Sequence, residues 1–224
     1  TVPTAQAEAA SRALALAREG GRFASTARIF LPVLQGIPPS AELMWFAPEA
    51  VRALLVGGDL ETLKAWLGFL RGNALFNEDA RKLLTEVRTL VHLAGADDVG
   101  TWSDDHLGEW WADRDGGDEA RRQAAMLFTL FDALGEAVSD DLWAALLDGP
   151  QKVTVAMPRP ALWQRLGAAT DAGRVGETVL LALLALGDGG SASAHPIILR
   201  RVMFSLRTIG LEAKARAMAV EAML

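Results

Sequence analysis

The chain has 224 residues, of which 51% are apolar, 22% are charged and only 7% are aromatic, a composition typical of folded proteins rather than disordered ones. Its net charge of −6 disfavours nucleic acid as a partner, because phosphate binding needs a clustered basic face. The absence of cysteine excludes disulfides and thiolate chemistry, and it leaves cytoplasm and periplasm both open as compartments.

Apolar residues recur at helical spacing along most of the chain, and alanine and leucine, the strongest helix formers, are abundant. After Asp59, for example, Leu63, Trp66 and Leu70 fall on one helical face, and Gly72 is the expected stop. The pattern predicts an all-α protein of about twelve helices. The predicted helices cover residues 5–18, 23–34, 48–55, 60–71, 78–92, 104–112, 118–134, 140–147, 161–172, 175–186, 196–208 and 211–224.

Polar and proline residues mark where these helices begin. The expected N-caps are Asp59, Asn77, Ser103 and Ser139, and Pro48 and Pro160 suit a first helical turn. The most apolar run, residues 178–186, is about half the length that a bilayer demands of a helix. It is therefore predicted to be a buried core helix.

One stretch interrupts the helical pattern. Residues 149–160 carry three prolines and a β-like alternation, which predicts an extended joint. We expect an N-terminal region of helical hairpins over 1–148 and a C-terminal one over 161–224. An ordered surface crossing inside a single domain is the alternative.

Glycines repeat at a fixed distance near both ends of the chain. Gly21 and Gly58 are 37 residues apart, and so are Gly173 and Gly210. A helix, a glycine turn and a second helix fill such an interval, with the glycine ending the first helix at positive φ. This period predicts antiparallel hairpins stacked as a short α-solenoid or superhelical bundle.

The segment LALAREGGRFASTARIF over residues 14–30, followed by Pro38, resembles the tetratricopeptide class of helical repeats, with similar stretches at 53–67 and 206–222. The tail 206–224 is also similar to long helical-repeat proteins of α-proteobacteria. The resemblance implies stacked helical hairpins. Stacked hairpins expose an extended groove, on which a protein or peptide partner can bind.

Reaction-centre motifs are missing from the sequence. It contains no glycine-rich phosphate loop, no zinc-binding His pair and no nucleophile elbow, so no cofactor is expected. The three histidines lie too far apart for a local metal pair, and the acidic stretch 113–119 departs from a calcium loop in its ligand spacing. The cluster of Arg200, Arg201 and Arg207 is interpreted as a solvated helix face.

The segment from 101 to 115 gathers three of the seven tryptophans among acidic and histidine side chains, inside an irregular insert over about 96–117. Core packing is the default interpretation of these tryptophans. The functional alternative is an exposed anchor for a partner, because tryptophan is enriched in binding hot spots. The candidate partner-binding residues are Trp102, His106, Trp110, Trp111 and Asp113.

The expected function is a non-catalytic helical-repeat scaffold that binds a protein or peptide. Two alternatives stay open: a helical enzyme or glycan-processing domain using Glu109 and Asp113, and a helical pocket for an apolar ligand. Homo-oligomerisation is compatible with all three of these functions. The chain begins at Thr1 rather than at methionine, which indicates a processed product or an excised piece.

Overall fold

The computed structural model describes residues 2–96, 102–103, 105–148 and 157–224. In this part of the chain, 77% of residues are helical and no strand occurs, which confirms the predicted all-α class. The contacts divide the chain into two compact units, residues 1–113 with Leu224, and residues 114–223. Most of the predicted joint at 149–160 lies outside the described residues, so the division proposed at that stretch stays a prediction.

Unit 1 consists of helices joined by short turns, so that successive helices pack as hairpins. Its core is aromatic and aliphatic, with Phe46 and Trp66 fully buried and in edge contact at 5.9 Å between ring centroids. The helices are α1 (Pro3–Glu19), α2 (Phe23–Gln35), a 3₁₀-helix (Ala41–Phe46), α3 (Ala47–Gly57), α4 (Leu60–Ala74), α5 (Glu78–Leu93) and α6 (Asp105–Ala112).

Unit 2 is arranged around one central helix, which packs against four others. That helix is α12 (Pro196–Thr208), and its buried side chains include Leu199, Val202 and Met203. Phe128 and Phe131 of the neighbouring α7 are fully buried. The helices of this unit are α7 (Asp118–Leu134), α8 (Asp140–Ala144), α9 (Pro160–Asp171), α10 (Val175–Leu186), α11 (Gly190–Ser193), α12 (Pro196–Thr208) and α13 (Glu212–Ala222).

The glycine turns adopt the conformation that the repeat period predicts. Gly21, Gly58, Gly173 and Gly210 have φ of 63°, 79°, 64° and 82°. Each lies directly between two helices. Residues other than glycine rarely adopt this left-handed region, because their Cβ clashes there. The expectation of glycine-terminated hairpins near both ends of the chain is confirmed.

Three predicted N-caps make the expected hydrogen bonds. Asp59 Oδ1 accepts from the Thr62 backbone N–H at 3.1 Å, the Asn77 side chain accepts from two backbone N–H groups, and Ser139 accepts from Leu142 N–H at 3.4 Å. Gly72 does not end α4, which continues to Ala74. A single glycine inside a helix costs only about 1 kcal/mol, which surrounding helical contacts offset.

The apolar run at 178–186 is not the buried helix that its composition suggests. It forms α10, which packs through Thr178, Ala182 and Ala185 and leaves Leu180, Leu183 and Leu184 each 59% exposed. The small residues lie on the packed side and let α10 approach its neighbours closely. The three leucines lie on the opposite side of the helix, which faces solvent. In the described ranges, no helix is both long and apolar enough to cross a bilayer.

Candidate functional site

The predicted candidate residues lie in helix α6 or directly beside it, with Trp102 before the helix and Asp113 after it, and α6 packs on α5 in unit 1. Trp110 is 3% exposed and Leu107 is buried beside it, whereas Trp111 is partly exposed. The default interpretation therefore holds for Trp110, which belongs to the core. Trp111 retains a solvent-accessible surface.

An aromatic stack forms at the start of α6. The Trp102 indole lies parallel to the His92 ring, with 4.3 Å between centroids and 6° between planes, and it contacts the tilted His106 ring at 5.3 Å. His92 is itself 8% exposed, near the end of α5. Trp102 and His106, both predicted candidates, thus contact each other directly, and Trp102 also stacks on His92, which was not among the predicted candidates.

His106 also accepts a hydrogen bond from a backbone N–H at the start of α6. The Ser103 N–H donates to His106 Nδ1 at 2.9 Å, the same reach from a first-turn side chain back to a preceding N–H that occurs in a capping box. Burial lowers the pKa of His106, and the nearby Arg88 cation lowers it further. The neutral imidazole is the form that accepts this hydrogen bond.

The two carboxylates of the enzymatic alternative face arginines of α5. Asp113 Oδ1 lies 3.0 Å from Arg81 Nη2, and Glu109 Oε2 lies 3.9 Å from Arg88 Nη1. Hydrogen bonds from Arg81 to Glu78 and Asp113 raise the pKa of Arg81, whereas burial lowers the pKa of Arg88. Both carboxylates therefore join α6 to α5 by ion pairs.

A second site, in unit 2, is a groove of about 550 Å³ beside helix α12. Ile197, Arg200, Arg201 and Phe204 follow one another at i, i+3, i+4 and i+7, so they share one face of α12. Phe204 is 51% exposed and Ile197 is 55% exposed. The lining is completed by Asp132, Ala133 and Gly135 of the α7 end, Trp163 of α9 and Arg207 of α12.

Two of the three groove arginines are held by acceptors. Arg207 donates to the Ala133 carbonyl at 2.7 Å and to Glu212 at 2.7 Å, and Arg200 pairs with Asp132. Arg201 differs, because no described carboxylate lies within ion-pair distance of its guanidinium and its buried Nε has no hydrogen-bond partner. It lies beside Phe204, with 5.9 Å from Cζ to the ring centroid.

Two glycines, which have no side chain, make space for the guanidinium groups of Arg201 and Arg207. A Cβ at Gly167 of α9 would lie 2.6 Å from Arg201 Nη2, and a Cβ at Gly135 would lie 3.1 Å from two Arg207 nitrogens. Gly135 also ends α7, with φ of 80°. The groove thus depends on small residues of two helices as well as on the arginines of a third.

The sequence singled out Arg200, Arg201 and Arg207 but interpreted them as a solvated face. The structure places all three in the lining of the groove, with Arg200 exposed and with Arg201 and Arg207 partly exposed. The signal that could have suggested this is the alternation of arginine with Ile197 and Phe204 on the outer face of a helix whose other face is apolar. Trp163 and Gly135 carry no such signal, because their position depends on helix packing.

Among the described residues, no group of three or more histidine, aspartate or glutamate side chains converges as metal ligands do. The fold places the chain in the class of all-α proteins built from helical hairpins. No protein-family model matches the sequence, and no curated protein or solved structure matches it significantly.

Proposed function

We propose that this protein is a non-catalytic helical scaffold that binds a segment of another protein. The groove beside α12 is the observation that carries this proposal. It combines a tryptophan and arginines, which are enriched among the residues that contribute most binding energy, with an exposed phenylalanine, a residue type also enriched at protein interfaces. Its volume falls in the range of ligand-binding clefts.

The α6 surface is the second place where a partner can contact the chain. Trp110 lies in the core and Asp113 is bound by Arg81, so these two candidates support the packing of α6. Among the predicted tryptophans, Trp102 and Trp111 both keep some accessible surface, and Trp111 is the one that lies within α6. A partner that contacts Trp111 would fit the same scaffold function.

Site-specific photo-crosslinking tests the proposal. A benzophenone amino acid replaces Phe204 in one variant, Trp111 in a second and the exposed Arg122 in a third, which is the control outside both sites. Each variant is irradiated in an extract of the organism that produces the protein. We expect discrete protein adducts at 204, with Arg122 showing only background. Equal yields at all three positions, or no adducts at 204 and 111, would contradict a binding role.

A further inference from the structure

We propose that the α12 groove binds an acidic peptide segment, in which a carboxylate pairs with Arg201 and neighbouring apolar side chains pack on Phe204 and Ile197. This inference rests on the proposed scaffold function and specifies the chemistry of its partner. The groove is locally cationic, because Asp132 and Glu212 balance Arg200 and Arg207 and no described carboxylate balances Arg201, in a chain whose net charge is −6.

Arg201 is the group that selects for a carboxylate. Arg207 already donates to Ala133 and Glu212, and Arg200 already pairs with Asp132. Arg201 has no anionic partner among the described residues, and its Cζ lies 5.9 Å from the centroid of the Phe204 ring. A guanidinium in this position binds a carboxylate through two parallel hydrogen bonds.

The apolar lining determines what must accompany the carboxylate. Ile197 and Phe204 are half exposed on either side of Arg201 along α12, one turn before and one turn after it. Trp163 adds a third apolar surface. A free anion such as phosphate would leave these surfaces uncovered, whereas a peptide with apolar residues flanking an acidic one buries them and gains hydrophobic free energy.

Fluorescence anisotropy with labelled peptides tests this proposal. The acidic probe alternates glutamate with leucine and phenylalanine, and the matched neutral probe carries glutamine in place of every glutamate. We expect the acidic probe to bind at least about tenfold more tightly, the effect of one lost charge-assisted hydrogen bond. Vesicles containing phosphatidylglycerol and inorganic phosphate are the other two arms, and tighter Arg201-dependent binding of either one would overturn the peptide assignment.

Variants of the groove locate the binding. Arg201→Met keeps an apolar stem against Gly167 but removes the charge, and we expect about a tenfold loss of affinity for the acidic probe. Gly167→Ala displaces the guanidinium without removing it, because the new Cβ would meet Nη2, and it should also weaken binding. Arg122→Gln, a 68% exposed arginine of the same unit outside the groove, is the control and should change affinity less than twofold.

The outcomes separate this inference from the scaffold function. If both probes bind equally, or if Arg201→Met behaves like Arg122→Gln, the carboxylate assignment is wrong. If the acidic probe does not bind while adducts at 204 persist, the partner has another chemistry and the scaffold function stands. Circular dichroism of each variant verifies its fold, and Gly167→Ala decides the matter should Arg201→Met unfold.

Discussion

The two adjacent tryptophans of α6 occupy different environments. Trp110 is 3% exposed in the core of unit 1, whereas Trp111 is partly exposed. Consecutive helical residues point about 100° apart, so only one of the pair can face α5. The first therefore contributes to stability, and the second is free to contact another molecule.

We expect Trp110→Ala to lower the free energy of unfolding by about 3–5 kcal/mol, because it leaves a cavity in a packed core. Trp111→Ala, the matched control, should cost clearly less, since its side chain is already in contact with water. Urea denaturation followed by circular dichroism measures both. Equal losses for the two variants would contradict the burial difference.

His106 makes stability depend on pH in a defined direction. Its pKa in the folded chain is lowered from the ordinary value of 6.5, first by burial and then by Arg88. The unfolded chain therefore binds a proton more readily than the folded chain, and stability is fully present above about pH 6.5. The stability contributed by this difference in pKa falls as the pH drops below about 6.5. It continues to fall until the pH passes the lower pKa that His106 has in the folded chain.

We expect the loss of stability between pH 7.5 and pH 5 to be smaller in His106→Gln than in the unsubstituted chain. Glutamine can still accept the Ser103 N–H hydrogen bond but does not titrate. Urea denaturation at several pH values gives the two profiles, and carboxylate titrations common to both proteins cancel in their difference. Parallel profiles would show that His106 does not contribute.

At the scale of the helix, glycine has opposite effects at two nearby positions. Gly58 follows α3 with φ of 79°, while Gly68 lies on the exposed face of α4. Apart from the adjoining backbone and the two neighbouring residues, no heavy atom lies within 4 Å of a Cβ built at either glycine. Any effect of adding a methyl group is therefore conformational rather than steric.

Alanine should destabilise the protein at position 58 and stabilise it at position 68. Gly58→Ala forces an L-residue into the left-handed region, at a cost of about 1–2 kcal/mol. Gly68→Ala removes a poor helix former from an exposed helical position and should gain up to about 1 kcal/mol. Thermal and urea denaturation of both variants measure the signs, and two changes of the same sign would be inconsistent with these backbone conformations.

At the scale of the whole molecule, each unit has its own buried apolar side chains, and both are predominantly helical in their described residues. Trp66 and Phe46 are central in unit 1, and Phe128 and Phe131 in unit 2. Helical hairpins with short connections form mostly local contacts. A high share of local contacts is typical of helical bundles.

Far-UV circular dichroism should give a helix content close to the 77% of the described residues, with minima near 208 and 222 nm. The spectrum should show no β contribution. Guanidinium denaturation supplies the unfolded baseline as the control. A helix content below about half would contradict the all-α assignment.

Local chemistry explains how much of the fold the sequence predicts. The helices 118–134, 175–186 and 196–208 agree with their predicted bounds, because caps, glycine turns and 3.6-residue periodicity depend on neighbours within a few residues. The 3₁₀-helix over Ala41–Phe46 and the four-residue α11 were missed, since they are too short to show a period.

The candidate sites were only partly predictable, because sequence patterns report on neighbouring residues and not on contacts between distant segments. The sequence by itself determined the all-α class, the glycine turns and the presence of a tryptophan-rich helix, all of which are encoded within single segments. Only the tertiary structure decided that Trp102 stacks on His92 and that the α12 groove exists. Arg200 meets Asp132 and Arg207 meets the Ala133 carbonyl across 68 and 74 residues of sequence. Such contacts depend on how helices pack, and helical periodicity shows which face is apolar but not which helix will cover it.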